Sequence, residues 1–492
     1  MRGMNEIQLL TVENTLVRKG GTVRQALAFL VSVENLGFVK AVDVVWAGED
    51  GAWQEMPAQY RGPHGATREC WAAGFSVTGQ PSHPVPGSIR FALRFRCGQA
   101  EFWDNNRGND YQSSAGSGAM LGNSLGLRNL DLNPILHEKQ QIMPVRVAVS
   151  PELHATRVLI HWSTDHWQEV RQTPCRRARQ GKAPSAQVWS ARLPVGDAYR
   201  VAYRICAEGG RPPAWDNNAG SDYQASRRPF KVLVLNLHCY QEEEQDRKFS
   251  LIAKGIDEAG VDVVCFQEVA ENWNAGHGDW ASNSARIINE RLRRPMDLCV
   301  DWSHLGFERY REGVAILSRY PLRRHHGCYV SDSHDVHSIH SRKVLMAQVP
   351  VPYMGLVNVF SAHLSWMEDG FQAQFRRLAE WAAEEAAASG GTTLLCGDFN
   401  VPAGSDGYRY VVDGRHYEDQ FLAANAPEVS AGIFRVDDPH WRDYPGEDSR
   451  IDYIFMRKGG ALRVTSARTL FTEHDYGRVS DHCGYLMTFE LR

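Results

Sequence analysis

A ten-residue segment that occurs twice limits the fold of the first half of this chain more than any other feature. Residues 103–112 read WDNNRGNDYQ and residues 215–224 read WDNNAGSDYQ, so eight of ten positions are identical at an offset of 112. A second pair keeps the same order: Trp53 and Trp167 each begin a Trp-Gln-Glu segment, 50 and 48 residues before the WDNN tryptophans. Two ordered matches at nearly equal spacing indicate an internal duplication.

Each copy has the pattern of antiparallel β-structure. The segments SIRFALRF (88–95) and YRVAYRI (199–205) alternate polar and apolar residues, as half-buried strands do. Copies of about 100 residues with such strands are typical of β-sandwiches. The segment between them is rich in Gly and Ser, which favours a flexible linker. We therefore predict two all-β sandwich modules at 1–115 and 142–228, joined by a linker at 116–141.

The repeated WDNN segment has two interpretations. Asp and Asn side chains bond to nearby backbone and stabilise turns, so the segment predicts a turn flanked by Trp and Tyr. Flat aromatic faces beside amide groups suit the CH-rich faces and hydroxyl edges of sugars. The alternative is a purely structural turn whose two aromatic residues lie in the core.

The order of DGAWQE, a pair of strands and EFWDNNRGNDY resembles the family-21 starch-binding modules. The resemblance covers most of residues 1–115 and, more loosely, 142–228. Both copies have Asp (Asp110, Asp222) where that family commonly has Asn. In that family the Trp residues, the motif Tyr and the Asn cluster contribute to α-glucan binding. The resemblance therefore implies carbohydrate contacts at Trp53, Trp103, Asn106, Tyr111, Trp167, Trp215, Asn218 and Tyr223.

Residues 229–492 have a different pattern, in which apolar strands alternate with amphipathic helices. Polar residues follow the strands, and strand ends of layered α/β folds are where ligands bind. Hydrolysis of a phosphoester requires a hard divalent cation held by carboxylates, an oriented water, and donors for the charge that gathers on the phosphoryl group. The polar residues that supply this chemistry are Asn236, Glu268, His363, Asp398, Asn400, Asp452, Asp481 and His482.

Seven short segments of residues 229–492 resemble motifs of the endonuclease/exonuclease/phosphatase superfamily and occur in the same order as in that superfamily. They are VLNLH, DVVCFQEV, EGVAILSRYPL, SAHLS, LLCGDFN, RIDYIF and SDHCG. The resemblance implies a four-layered α/β sandwich with two facing sheets. It implies a metal held by Glu268, with Asn236 nearby and Asp481 completing the metal side. His363 is expected to stabilise phosphoryl oxygens, and Asp398 to orient or deprotonate the attacking water. Asn400 is expected to hold the partner groups of Asp398 in place. Asp452 is expected to hold His482 in the right tautomer.

The oxygen-rich ligand set favours Mg²⁺, with Mn²⁺ as the alternative, over Zn²⁺. Two further groups of residues are candidate phosphate contacts. His340 and Arg342 lie in a histidine-rich segment (331–343), and Arg311 precedes the GVAILS strand. The alternative for the histidine-rich segment is a solvated loop. Trp366, three residues after His363, is expected either to stack on a sugar ring or to cap the core.

Charge and composition narrow the substrate. Residues 230–492 contain 28 Lys and Arg against 38 Asp and Glu, a net charge of −10, whereas the rest of the chain carries +6. Since DNA binding depends on Lys and Arg that neutralise phosphates, this acidity makes nucleic acid an unfavourable partner. We expect a phosphatase that acts on a phosphorylated sugar, maltodextrin or glycogen-like α-glucan. The alternatives are a DNA or RNA nuclease and a sphingomyelinase-like phosphodiesterase. Scattered cysteines and the absence of a secretion signal or amphipathic membrane helix predict a cytoplasmic protein with no membrane partner.

Overall fold

The computed structural model describes residues 6–79, 85–123, 125–131, 135–178, 185–209, 212–274, 276–414, 416–425 and 450–492. The chain divides into two compact units, unit 1 (Met1–Arg228) and unit 2 (Pro229–Arg492). Across the described ranges, no helix combines the length and the apolar character needed to span a membrane.

The first half of unit 1 is built from β1 (Ile7–Lys19), β2 (Thr22–Glu34), β3 (Lys40–Ala47), β4 (Trp53–Pro57), β5 (Gln59–His64), β6 (Arg68–Gly79), β7 (Ile89–Cys97), β8 (Ala100–Asp104), β9 (Tyr111–Ser113) and β10 (Gly118–Leu121). One sheet has the order β10-β1-β2-β6-β5, and the other has the order β4-β3-β7-β8, with β9 also paired to β7. Alternating apolar residues of both sheets, such as Phe29 and Phe91, form a shared core.

The second half of unit 1 is built from β11 (Leu127–Asn129), β12 (Met143–Val149), a 3₁₀ turn (Pro151–Leu153), β13 (Arg157–Ser163), β14 (Arg171–Pro174), β15 (Arg176–Arg177), β16 (Gln187–Leu193), β17 (Arg200–Glu208), β18 (Ala214–Asp216) and β19 (Tyr223–Ser226). One sheet has the order β11-β12-β16-β15, and the other has β14-β13-β17-β18, with β19 paired to β17. These two sheets also enclose one core, which includes Trp162 and Tyr203.

The segment expected to be a flexible linker, 116–141, contains two of these strands. β10 pairs with β1 and β11 pairs with β12, so both sheets extend into the segment. Burial of Ala119 and Leu127 explains why this Gly- and Ser-rich sequence is ordered where it is described.

Unit 2 contains β20 (Phe230–Asn236), α1 (Gln245–Ala259), β21 (Val263–Asn274), β22 (His277–Gly278), α2 (Ser284–Glu290), β23 (Asp297–Gly306), β24 (Tyr310–Ser318), β25 (Arg323–Tyr329), β26 (Lys343–Val351), β27 (Gly355–His363), α3 (Phe371–Ser389), β28 (Thr392–Asp398), α4 (Asp406–Val412), β29 (Tyr417–Asp419), α5 (Gln420–Ala424), β30 (Asp452–Arg457), β31 (Leu462–Leu470) and β32 (Gly484–Leu491). Two short 3₁₀ turns lie at Trp280–Ser282 and Met367–Asp369.

Two mixed sheets organise unit 2. The first has the order β23-β24-β21-β20-β32-β31, with β22 paired to β21, and the second has β25-β26-β27-β28-β30-β29. Apolar residues of α1 and α2 pack with the first sheet, and those of α3 and α4 pack with the second. Gln267 donates to Ser361 at 3.0 Å, which joins the two sheets through buried polar groups. The parallel pairs β20–β21 and β27–β28 bring their carboxyl ends, and the polar residues that follow, to one edge of each sheet.

Candidate active site

Three of the predicted catalytic residues lie side by side on the second sheet of unit 2. His363 ends β27, Asp398 ends β28 and Asp452 begins β30. The strand register pairs His363 with Asp398 and Asp398 with Asp452. All three side chains are buried because the apolar strands before them lie in the core. Residues 35 to 89 positions apart in sequence therefore form one continuous row.

The first sheet contributes Asn236, at the end of β20, and Glu268 in β21. Glu268 has a φ of 48° and lies where the pairing of β21 with β24 shifts register, so a bulge redirects its side chain. The Asn236 amide donates to Glu268 Oε1 at 2.9 Å and to Asp398 Oδ2 at 3.2 Å. One buried amide thus holds carboxylates from both sheets within a few ångströms of each other.

His482 is oriented by Asp452. Its Nδ1 donates to Asp452 Oδ2 at 2.8 Å, and its Nε2 lies 3.8 Å from Asp398 Oδ2 and 3.9 Å from Asp481 Oδ1. Burial opposes a charged ring, but the carboxylates of Asp452 and Asp481 raise the pKa of His482 well above its ordinary value. The geometry therefore presents a protonated Nε2 to the middle of the cluster.

His363 is held in the opposite state. Arg342 lies with its Nη1 3.2 Å from His363 Nδ1, and since a guanidinium can only donate, Nδ1 accepts and the ring proton is on Nε2. Burial and the charge of Arg342 lower the pKa of His363 well below its ordinary value. Its Nε2 is 3.7 Å from Asp398 Oδ2. A neutral and a charged imidazole thus flank Asp398.

Asp398 is the central carboxylate of the cluster. Burial, and then the nearby Asp452 carboxylate, raise the pKa of Asp398 to about 7. The backbone N–H of Asn400 donates to Asp398 Oδ1 at 2.9 Å, and the Asn400 side chain donates to the carbonyl of Leu364 at 2.8 Å. Asn400 therefore acts on the turn that holds Asp398. A carboxyl group with this pKa is suited to accept a proton near neutral pH.

The two carboxylates expected on the metal side, Glu268 and Asp481, lie close enough to interact electrostatically. Burial, and then the Asp481 carboxylate, raise the pKa of Glu268, as happens when two carboxylates lie close without enough positive charge. This donor set fits a hard divalent cation, which binds carboxylate oxygens and relieves their repulsion. Asn236 Oδ1 accepts from the backbone N–H of His238 at 3.0 Å, which holds the amide that donates to Glu268 and Asp398.

With this geometry in place, comparisons with known proteins give the family. Residues 233–482 match the family model described as Endonuclease/Exonuclease/phosphatase family. The chain belongs to this endonuclease/exonuclease/phosphatase family. Residues 7–114 match a second model, the carbohydrate/starch-binding module (family 21).

Individual relatives cover parts of the chain. Protein phosphatase 1 regulatory subunit 3E of Rattus norvegicus is 40% identical over 82 residues, which are 16% of this chain and 28% of that protein, so the chain spans under a third of that relative. An endonuclease/exonuclease/phosphatase family protein from Leptotrichia buccalis C-1013-b is 24% identical, with a TM-score of 0.46 over 53% of this chain and 100% of that one. A mannosyl-6-phosphatase from Bacteroides thetaiotaomicron VPI-5482 is 15% identical, with a TM-score of 0.41 over 53% of this chain and 100% of that one.

Sequence reasoning missed two pairs beside this family site. His238 Nδ1 lies 2.7 Å from Glu242 Oε1 and 3.7 Å from Asp481 Oδ1. His304 Nε2 lies 3.4 Å from Glu312 Oε1. Burial, and then Glu268, raise the pKa of Glu312 to about 8, which places Glu312 next to the metal side. The positions of His238 and Glu312 inside the matched segments VLNLH and EGVAILSRYPL were the available signal.

Only one of the three candidate phosphate contacts touches the family site. Arg342 binds His363, as described above. The expectation for Arg311 is corrected: its guanidinium pairs with the fully buried Glu271 and packs against the rings of Trp302 and Trp273, so it stabilises the first sheet.

The histidine-rich segment next to Arg342 is largely a surface loop. His340 is exposed, His334 stacks on Tyr329, and His337 pairs with Glu308. Residues 332–340 are thus mostly solvated, in line with the alternative of a loop, whereas Ser331 and Ser341 at its two ends are buried. Trp366 is half-buried and precedes the 3₁₀ turn Met367–Asp369, close to the end of β27.

The WDNN turns of unit 1 hold their tyrosines inside the two cores. Tyr111 and Tyr223 are 5% and 1% exposed, and their hydroxyls donate to Asp104 and Asp216 at 2.9 and 2.6 Å. The expectation that these tyrosines contact sugar is therefore corrected, because rings this deeply buried offer no open face to a ligand. The structural alternative describes both of them.

The remaining predicted carbohydrate contacts are four tryptophans and two asparagines. Trp53, Trp103 and Trp215 are 49%, 44% and 52% exposed. Trp167 is half-buried beneath the Arg204 guanidinium, 4.2 Å from its ring centre. Two asparagines differ: Asn106 is partly exposed, whereas Asn218 is 4% exposed and donates to the carbonyl of Pro63 at 3.3 Å. Asn218 thus has little exposed surface, and its contact with sugar stays a prediction.

Proposed function

We propose that unit 2 is a divalent-metal-dependent phosphatase that acts on a phosphorylated sugar, maltodextrin or glycogen-like α-glucan. The observation that carries the proposal is the single cluster formed by Glu268, Asp398, His363 and the His482–Asp452 pair. It combines a site for a cation, a proton acceptor and two imidazole donors, which is the inventory that phosphoester hydrolysis needs. The finer architecture is part of the proposal: two glucan-binding sandwiches (1–115 and 142–228) precede a four-layered catalytic sandwich.

Glu268 and Asp481 would hold the cation, with Asn236 orienting the Glu268 carboxylate. The oxygen donors favour Mg²⁺, with Mn²⁺ as the alternative. A cation held there would supply positive charge to the phosphoryl oxygens and to the leaving oxygen. Every other step belongs to the protein. Asp398, with its pKa near neutrality, takes the proton from the attacking water as the new P–O bond forms and the ester P–O bond breaks.

The two histidines have different tasks in this proposal. His363 keeps its proton on Nε2 and donates a hydrogen bond to a phosphoryl oxygen without changing charge. His482 is protonated because Asp452 and Asp481 favour the imidazolium, and its Nε2–H stabilises the negative charge that develops on the phosphoryl group. The leaving alcohol oxygen receives a proton from His482 or solvent, and inorganic phosphate is released.

Two observations support a sugar or glucan as the group that carries the phosphate. The same chain contains a match to a starch-binding module, and tethering a site to a polymer raises its effective concentration there. Exposed tryptophans of both halves, Trp53, Trp103 and Trp215, offer flat faces for glucose rings. The net charge of −10 over residues 230–492 is unfavourable for a nucleic-acid duplex.

A panel of phosphoesters tests the proposal. The purified full chain is assayed for phosphate release, with Mg²⁺ or with EDTA, from glucose 6-phosphate, a phosphorylated maltodextrin, an inositol phosphate and a nucleotide. Plasmid DNA and sphingomyelin vesicles complete the panel. Metal-dependent release from the sugar phosphates is expected to exceed the other activities. Nicking of plasmid DNA without any release from sugar phosphates would instead establish the nuclease alternative.

A further inference from the structure

A cleft of about 1160 Å³ lies between the two halves of unit 1. Its floor is the outer face of the sheet that contains β1, β2 and β6. The register places Ala28 opposite Gly74 and Leu30 opposite Ala72, so three small residues and one leucine line the middle of the floor. Ala28 and Gly74 are both exposed. The floor therefore lies open to a ligand that contacts it broadly.

The opposite wall comes from the second copy of the duplication. Asp222 and Gln224 of its WDNN segment, together with Asp131 and Ile135, line the cleft. The second turn docks on the first half, where a Cβ on Gly65 would lie 2.9 Å from the carbonyl of Ala219. The second WDNN turn thus packs against the first half of unit 1, which explains why Asn218 is buried.

Polar contacts, some of them buried, fix the two walls relative to each other. Arg146 of the second half pairs with Glu13 of β1 at 2.9 Å and with Asp131 at 2.9 Å. Arg128 is 3% exposed and reaches Asp216 at 3.5 Å and His64 at 3.2 Å. A cleft with walls tied in this way is formed before a ligand arrives, which lowers the entropic cost of binding.

The lining chemistry selects the ligand class. Tyr60 is 53% exposed and Ile135 is 69% exposed, so both offer apolar surface at the rim. Gln59 and Gln224 supply amide donors and acceptors, and the carboxylate of Asp222 accepts hydrogen bonds from hydroxyls. Of the lining acids, Glu13 and Asp131 are paired with Arg146, and Asp222 balances Arg61, so the cleft carries little net charge to select an ion. This combination suits an uncharged polyhydroxylated molecule with apolar faces.

We propose that the cleft between the two halves of unit 1 binds a neutral α-linked oligosaccharide of several glucose residues. The cleft exceeds the roughly 300–1,000 Å³ usual for small-molecule sites, so its size favours an oligomer over a single sugar. It is distinct from the tryptophan-bearing surface of the first half, because Trp53 and Trp103 lie on β4 and β8 of the other sheet. The site does not depend on hydrolysis, so its test stands apart from that of the proposed phosphatase.

Titration calorimetry of the full chain with maltoheptaose tests this proposal. The background is the double variant Trp53→Ala/Trp103→Ala, in which exposed side chains are removed without disturbing the core. In that background, Ala28→Arg fills the floor and Tyr60→Ala removes the rim ring. Val17→Arg is the matched control, since Val17 is exposed on the same hairpin but does not line the cleft.

The proposal predicts that the background variant still binds maltoheptaose and that Ala28→Arg and Tyr60→Ala each weaken this binding at least about tenfold. Val17→Arg is expected to bind as the background does, and circular dichroism checks that all variants are folded. Two results would overturn the proposal: no binding by the folded background variant, or equal affinity and stoichiometry in the background, Ala28→Arg and Tyr60→Ala proteins.

Discussion

At the scale of single residues, the proposed mechanism depends on two imidazoles, one neutral and one protonated, within a few ångströms of one carboxylate. Asp452 raises the pKa of His482, and Arg342 lowers the pKa of His363. Asp398, between them, has a pKa of about 7 because it is buried beside Asp452. Titratable neighbours with divergent pKa values are typical of sites where protons move.

Asp452→Asn tests the state of His482. The variant removes the charge that favours the imidazolium and leaves a side chain of the same size, so kcat for phosphate release should fall about 10²- to 10⁴-fold. The pKa of His482 should fall as well, and the alkaline limb of the pH–rate profile should move to lower pH. Glu384→Gln, an exposed change on α3, is the control. An unchanged pH profile would contradict the role assigned to Asp452.

Arg342 is open to a similar comparison of two substitutions. Arg342→Gln removes the positive charge beside His363, so the pKa of His363 should rise and the acidic limb of the profile should move to higher pH. We expect kcat/KM to fall about 10- to 100-fold, the usual cost of a lost charged hydrogen bond. Arg342→Lys keeps the charge and should move the limb less. An acidic limb at the same pH in the unvaried protein, Arg342→Gln and Arg342→Lys would exclude an effect of Arg342 on His363.

At the scale of elements, strand register and a bulge explain what sequence patterns predict and what they miss. Apolar runs followed by polar residues predicted that His363, Asp398 and Asp452 lie at strand ends, and the register then places them in one row. The pattern gave no sign that Arg311 pairs with Glu271, because side-chain direction near the bulge of β21 depends on tertiary packing.

In unit 1 too, the sequence pattern does not predict tertiary contacts. The repeat predicted a duplication and the strands of each copy. It did not predict that Tyr111 and Tyr223 are buried or that the second WDNN turn docks on the first half. Identical local sequence gives identical turns, but whether a turn faces solvent depends on contacts with residues more than a hundred positions away.

The buried junction between the halves of unit 1 gives a pH-dependent stability. Burial and the charge of Arg128 lower the pKa of His64 to about 3, so the unfolded chain binds more protons than the folded chain between pH 3 and the ordinary value of 6.5. Above pH 6.5, His64 therefore does not change the free energy of unfolding. Below pH 6.5, it lowers the free energy of unfolding by up to about 1.4 kcal/mol for each pH unit.

Thermal melting of the full chain and of His64→Gln between pH 7.5 and pH 4.5 measures this effect. Gln keeps hydrogen-bonding groups but does not titrate, so the melting temperature of the variant should fall less steeply with decreasing pH. Parallel curves for the two proteins would show that His64 does not contribute to the pH dependence.

At the scale of the whole molecule, the proposed function joins a hydrolase unit to a glucan-binding unit in one chain. The expected benefit is a higher effective concentration of phosphorylated glucan at unit 2. Trp53→Ala/Trp103→Ala should therefore lower kcat/KM for a phosphorylated polymer about 10-fold or more, and leave kcat/KM for glucose 6-phosphate unchanged. An equal loss on both substrates would mean that these tryptophans affect unit 2 in another way.

The central claim is that the cluster in unit 2 hydrolyses phosphoesters with a cation held by Glu268. The most direct test is phosphate release from a phosphorylated maltodextrin by the full chain and by Glu268→Gln, each titrated with Mg²⁺ after removal of metal with EDTA. Mg²⁺ is expected to restore release in the unvaried chain, whereas Glu268→Gln is expected to need far more Mg²⁺ and to reach a rate at least about 100-fold lower. Metal-independent release, or equal rates in the two proteins, would contradict this claim.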